Sequence, residues 1–231
     1  IRAYESTSSS RILELGCGPG LLACDLAGLG YAGVGVDAAP TMIEISQANY
    51  AASKLDVPWS FQLADVEALP FPNDSFTAVT AAGVIEYMPG DERMLSEVRR
   101  VLKPRGILIL NVTNRFSYSG CLNALLNPIK SLRFVQKACS PVRRLLAQDG
   151  QGLNVPGFSP RRHRPGAFRS TLVKTGFRVV SDRYLGFSVF PAPLCTLTSR
   201  VTGRVDATLD ILDQTPLRYV GSCYLVTAEA A

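Results

Sequence analysis

"RILELGCGPG", residues 11–20, decides the reading of everything around it. The apolar residues from Ile12 to Leu15 suit a buried strand, and the run stops at Gly16. Glycines then alternate at Gly16, Gly18 and Gly20. Glycine accepts backbone angles and close approaches that a Cβ forbids, so something is expected to lie against this turn. The dinucleotide fingerprint G-x-G-x-x-G needs a glycine three residues after Gly18, where this chain has Leu21. Nor does the G-K-[ST] ending of a nucleotide phosphate loop follow. The pattern is G-x-G-x-G with Glu14 two residues upstream. A carboxylate is a poor neighbour for two phosphates and a good one for a cation. The turn reads as suited to a positively charged ligand without phosphates.

Outward from this stretch, strand and helix patterns alternate. "RILEL" is followed by a helical "LLACDLAGLG" that Gly28 and Gly30 stop, then by the strand "AGVGVD". "APTMIEISQANYAASKL" reads as a helix with Pro40 in its first turn, a favoured place for proline. "WSFQLAD" and "FTAVTAAG" read as strands, and "DERMLSEVRRVL" as a helix ended before Pro104. "GILILNV" is almost wholly apolar, as a strand covered on both faces is. After a long interruption come a helix, "GAFRSTLVKTGF", and two strands, "RVVSDRYL" and "GSCYLVTAE". The expected fold is α/β: a doubly wound, mostly parallel seven-stranded sheet with helices on both faces and a helical insertion after strand five. Ligands of such sheets bind at the carboxyl ends of strands where the strand order reverses, and the glycine turn sits at such an end.

The 231 residues read as a single domain, with 1–10 a polar linker or truncated N-terminal cap and 114–165 a substrate-recognition insertion. No run of about 20 apolar residues suggests a spanning helix. Six cysteines (Cys17, Cys24, Cys121, Cys139, Cys195 and Cys223) form no C-x-x-C pair, and there is one histidine. The expectation is therefore free thiols, no metal site and a cytoplasmic protein. The net charge of +5 is unevenly spread: 13 Lys and Arg stand against two acids between Arg115 and Arg183, leaving the rest of the chain acidic.

Five blocks carry a resemblance: "LELGCGPG" (13–20), "GVGVDAAPTMIEISQ" (33–47), "LADVEALPFPNDSFTAV" (63–79), "GVIEYM" (83–88) and "VRRVLKPRGILIL" (98–110). In this order and spacing the chain resembles the class I, seven-stranded, Rossmann-like S-adenosylmethionine-dependent methyltransferases. "HRPGAFRSTLVKTGFRVV" (163–180) looks like that family's helix and strand after the substrate insertion. The resemblance implies S-adenosyl-L-methionine as cofactor. It sets Glu14 and the backbone of Gly16, Cys17 and Gly18 around the methionine part, with Gly20 opening the helix. It implies that Asp37 accepts from both ribose hydroxyls with Ala38 beside it, and that Met42 packs near the adenine or ribose. Asp65 accepts from the adenine amino group beside the Val66 backbone, and Ala82 and Gly83 offer carbonyls to the cofactor's amino group. Plainer readings stand beside these: Asp37 and Asp65 as helix caps, and Met42 as core.

Methyl transfer is an in-line displacement that mainly needs the nucleophile held in place, and positioning of this kind is worth roughly 7–11 kcal/mol. A hydroxyl or carbon acceptor gains from a general base, typically 10² to 10⁴-fold. Glu86 and Tyr87, after strand four, and His163, the single histidine, are the catalytic candidates, with structural roles as the alternatives. Asn114 and Tyr118 are candidates for orienting substrate.

In the insertion, Tyr118, Leu122, Leu125, Ile129 and Leu132 recur at helical spacing, beside Lys130, Arg133, Lys137 and Arg144. One reading is a lid over the site. The sharper one is peripheral contact with an anionic membrane or a lipid substrate. Nucleic acid is disfavoured because the stretch lacks interleaved aromatics for stacking. The expected function is methyl transfer to a small, apolar or lipid-like biosynthetic intermediate. The alternatives are a cofactor-binding regulatory or partner module without turnover and, against Leu21, a nicotinamide oxidoreductase.

Overall fold

The computed structural model describes residues 10–118, 160–187 and 210–231. The linker at 1–9, most of the insertion (119–159) and the proline-punctuated stretch 188–209 lie outside the described residues. Seven strands form one sheet: β1 (Arg11–Leu15), β2 (Ala32–Asp37), β3 (Trp59–Leu63), β4 (Phe76–Ala82), β5 (Leu102–Thr113), β6 (Phe177–Leu185) and β7 (Cys223–Ala230). Their spatial order is β3-β2-β1-β4-β5-β7-β6. Pairing is parallel from β3 through β5. β7 runs against its neighbours: Glu229, near its end, meets Arg105 early in β5 and Arg178 early in β6, at 3.3 and 2.6 Å. The sheet is therefore mixed, with its parallel part and strand-order reversal where the sequence puts them.

Among the described residues the α-helices are α1 (Leu21–Gly28), α2 (Pro40–Ser53), α3 (Glu92–Val101) and α4 (Pro165–Lys174). α3 shows how pattern becomes packing. Met94, Leu95, Val98 and Val101 recur on one face and are all fully buried. β4 is buried from Phe76 to Ala81, as a central strand between two parallel neighbours should be.

Two boundaries differ from the sequence reading. β5 begins at Leu102 rather than Gly106, because Leu102 pairs with Phe76 and Ile107 with Ala78. The intervening residues bulge out through Pro104 and Arg105, whose φ is +62°. Proline lacks an N–H to donate and is tolerated in such irregularities. β3 ends at Leu63, since Asp65 turns the chain by accepting the Glu67 N–H at 2.8 Å.

The connection from β3 to β4 is held by α3. Arg100 donates to the carbonyls of Leu69 (2.9 Å) and Phe71 (2.6 Å), while Glu97 accepts the Leu69 N–H at 2.8 Å and pairs with Arg100 at 2.8 Å. Arg100→Ala is expected to lower stability by about 1.5–2 kcal/mol, because Glu97 and two carbonyls lose their donor together. Urea unfolding would check this, and a loss below about 0.5 kcal/mol would count the network as an ordinary surface pair.

The chain divides into two compact units. Among the described residues the first comprises 10–112, 165–182 and 225–231, and it holds the glycine turn. The second comprises 113–118, 160–164, 183–187 and 210–224. Asn114 braces this second unit. It is fully buried, its Nδ2 donates to the carbonyls of Tyr219 and Gly221 at 2.8 Å each, and its Oδ1 accepts the Phe116 N–H at 3.0 Å. Nearby, Tyr184 packs against Tyr219 and Tyr224, with Arg218 over its ring at 5.0 Å. No helix among the described residues is long and apolar enough to cross a membrane.

Candidate cofactor and active site

The glycine turn leaves β1 where β2 and β4 flank it, at the strand-order reversal. Gly16 and Gly18 are both left-handed, with φ of +62° and +49°. They serve different ends. A Cβ on Gly16 would stand 2.5 Å from Val84 Cγ2, so that glycine lets the turn after β4 pack close. A Cβ on Gly18 would meet nothing within 4 Å, which leaves a backbone edge open to a ligand. Gly20 is the N-cap of α1, again left-handed.

Asp37, the last residue of β2, ties this turn down. Its Oδ2 accepts the Gly18 N–H and its Oδ1 the Ala39 N–H, each at 2.9 Å. A carboxylate has about four acceptor positions, so two such bonds leave capacity for ligand hydroxyls. Ala38 is exposed, and Met42 is half-buried in the first turn of α2. The end of β3 is joined to the end of β2 by Ala64 N–H to Asp37 O at 3.1 Å. Beyond it, Asp65 is exposed and Val66 buried. Leu63, in register with Asp37, is 56% exposed, and Leu21 at the start of α1 is 63% exposed. Both are exposed apolar side chains, one at the end of β3 and one just past the glycine turn, and no sequence motif marks either as a contact.

Glu14 lies under the turn, 5% exposed. The Ala23 N–H of α1 donates to its carboxylate, but burial outweighs this and, with Asp37 nearby, pushes the carboxyl up to about 7. Its Oε2 has no hydrogen-bond partner among the described residues. Thr80, its register partner on β4, has a buried Oγ1 equally without one. Cys17 is buried too, and desolvation, followed by the charges of Glu14 and Asp37, pushes its thiol up to about 12. That thiol is inert, so the turn uses Cys17 for its backbone and packing.

At the end of β4, Ala82 is exposed, and Gly83 (φ +67°) donates its N–H to Asn111 Oδ1 at 2.8 Å. Ile85–Tyr87 form a single 3₁₀ turn in which Glu86 is buried and Tyr87 is 43% exposed. Glu86 Oε1 lies 4.0 Å from the place a Gly83 Cβ would take. The first unit thus brings together Glu14, the glycine turn, Asp37, Met42, Asp65, Ala82, Gly83 and Glu86. His163 belongs to the second unit, where its backbone bridges Thr113 and Arg115 at 2.9 Å each and its side chain is buried. Asn114 departs from the expectation of a substrate-orienting residue. Both ends of its amide are engaged with backbone groups of its own unit, so it braces the fold.

The donor set fits the expected cofactor. An open glycine edge, a half-buried carboxylate with spare acceptor capacity and a buried carboxyl oxygen without a partner suit a ligand bearing hydroxyls and positive charge.

Residues 13–110 match the family model described as a methyltransferase domain. The ubiquinone biosynthesis O-methyltransferase of Brucella anthropi is 32% identical over 105 residues, 46% of this chain and 42% of that protein. Its namesake from Xanthomonas oryzae is 32% identical over 115 residues, 50% of this chain and 48% of the other. The chain thus spans less than half the length of these curated relatives. Among solved structures, a putative methyltransferase from Bacillus halodurans superposes with a TM-score of 0.65 at 16% identity, covering 99% of this chain and 96% of that one. An S-adenosylmethionine-dependent methyltransferase from Methanosarcina mazei gives 0.64 at 16% identity, covering 99% and 95%. Likeness in sequence over 13–110 and likeness in fold along nearly the whole chain agree: residues 13–110 match a methyltransferase domain, and the chain shares the Rossmann-like fold of these solved structures.

Proposed function

We propose that this chain binds S-adenosylmethionine at the glycine turn and transfers its methyl group to a small, apolar or lipid-like biosynthetic intermediate. The observation that carries this reading is the Asp37 carboxylate bound to the Gly18 N–H at the sheet's reversal point, which braces an open, acid-lined turn. When bound, the cofactor supplies a methyl group already activated by a sulfonium. In this reading Asp37 holds the ribose, Asp65 and Val66 the adenine edge, Met42 an apolar face, and Glu14 with Gly16, Cys17, Gly18, Ala82 and Gly83 the methionine end. Glu86 takes the acceptor's proton, Tyr87 presents an exposed ring beside it, and His163 is a second candidate base.

The two relatives named for ubiquinone biosynthesis favour an oxygen acceptor on a lipophilic, phenol-like ring. The apolar and basic stripes at 118–144 in the sequence agree with such an acceptor and with peripheral contact at an anionic membrane from the cytoplasm. Calorimetry of the full chain against S-adenosylhomocysteine and NAD tests the cofactor assignment: binding of the first alone is expected, and binding of NAD alone would overturn it. Methyl transfer to a panel of lipophilic phenols tests the rest. Tight cofactor binding with no turnover on any of them would leave a binding module.

A further inference from the structure

Gly83 closes β4 in a left-handed conformation, and its N–H is held by Asn111 of β5 at 2.8 Å. Asn111 stands in register with Ala82, so its side chain reaches one residue along and across to the neighbouring strand. A planar trans peptide sets a carbonyl and the following N–H on opposite sides of the linkage. The Gly83 N–H points to β5, so the Ala82 carbonyl of the same peptide points the other way, toward the β1 side of β4. The registered pairing of β1 with β4 ends at Leu15 and Ala81, one residue short of this carbonyl. From there β1 gives way to the glycine turn, whose Gly16 is in close contact with Val84, the residue after Gly83. The Ala82 carbonyl therefore faces the glycine turn, just past the last rung of the ladder.

We propose that Asn111 is a positioning residue for the ammonium group of the cofactor's amino-acid end: by holding the Gly83 N–H, it aims the Ala82 carbonyl at that ammonium. The proposal rests on the turn being the S-adenosylmethionine site. It explains why an amide side chain interrupts the apolar run from Ile107 to Val112 near the end of β5. Without an acceptor at that place, a glycine peptide at the end of a strand is free to rotate, and rotation turns the carbonyl away.

Two ligands separate this role from general support of the fold. S-adenosylhomocysteine carries the ammonium, whereas 5′-methylthioadenosine shares its nucleoside and thioether and lacks the amino-acid chain. Calorimetry would be run on the full chain as wild type, N111A and N111D. N111A is expected to weaken S-adenosylhomocysteine about tenfold or more and to leave methylthioadenosine within about twofold. N111D keeps an acceptor oxygen and is expected to hold S-adenosylhomocysteine within about threefold of wild type or tighter. Equal losses for both ligands in folded N111A, or no loss for either, would overturn the proposal. If N111A does not fold, N111D decides: retained affinity with a Gly83 amide protected from exchange supports it, and a tenfold selective loss of S-adenosylhomocysteine overturns it. A wild-type chain that binds neither ligand overturns the cofactor reading itself, a result distinct from all of these.

Discussion

Replacing Asp37 by alanine is expected to cost the chain twice, once in stability and once in affinity for the cofactor. In the fold the carboxylate accepts N–H bonds from Gly18 and Ala39, one on each oxygen. Bonds to an ionised acceptor are worth about 1.5–3 kcal/mol each, and partial solvation of this half-buried group favours the lower figure, so a total near 3 kcal/mol is expected. Gly18 then loses the bond that holds a left-handed backbone in place, and the open edge of the turn loosens with it. Loss of the ribose acceptor adds about 1–3 kcal/mol to the binding free energy, or tenfold to a hundredfold in Kd. Denaturant unfolding and calorimetry with S-adenosylhomocysteine read the two effects separately. Asp37→Asn keeps one acceptor oxygen and is expected to fall between. An alanine variant as stable as wild type would remove the bracing role, and one that binds as tightly would remove the ribose role.

Glu14→Gln is expected to change how stability depends on pH more than it changes the fold. In the native chain burial lifts the Glu14 carboxyl from its ordinary value of 4.5 to about 7. The folded state therefore holds this proton more tightly than the unfolded state does. The stabilisation is complete below about pH 4.5, declines as pH rises through the window, and is gone above about 7. At ~1.4 kcal/mol per unit the decline amounts to about 3 kcal/mol. Glutamine carries no proton to lose. The stability of the variant relative to wild type should consequently improve by about that amount between roughly pH 5 and pH 8, as measured by urea unfolding. Parallel pH profiles for the two proteins would show that Glu14 is solvated in the folded chain.

The parts of this molecule legible in its sequence are those whose cause is local. "RILELGCGPG" shows a strand, a stop and a turn because apolar run and glycine spacing act within ten residues. α3 shows itself by the spacing of Met94, Leu95, Val98 and Val101. Asp37 and Glu14 are legible as acids near the turn. What escapes is set by partners distant in sequence. Nothing in the apolar run "GILILNV" singles out Asn111; its role shows only when β4 is placed beside β5 and its acceptor oxygen meets the Gly83 N–H. Asn114 reads as a substrate contact because its three backbone partners include carbonyls more than 100 residues downstream. The bulge at Pro104 depends on how β5 registers against Phe76 and Ala78, which no local pattern encodes. The proton affinity of Glu14 likewise arises only when the surrounding helix and strands remove water from it.

The position of β7 has a bearing on how the polypeptide assembles. The strand latest in sequence is an interior one, and β6, made before it, borders among the described residues on β7 alone. During synthesis β1 to β5 can zip together from neighbours close in sequence, whereas β6 has no seat until residues 223–230 have left the ribosome and slid in beside β5. That closing step joins segments separated by more than 100 residues, and long loop closures of this kind are slow. Shortening the chain at β7 would thus not trim an edge: it would detach β6 as well and expose the flank of β5 to sticky encounters with other nascent chains.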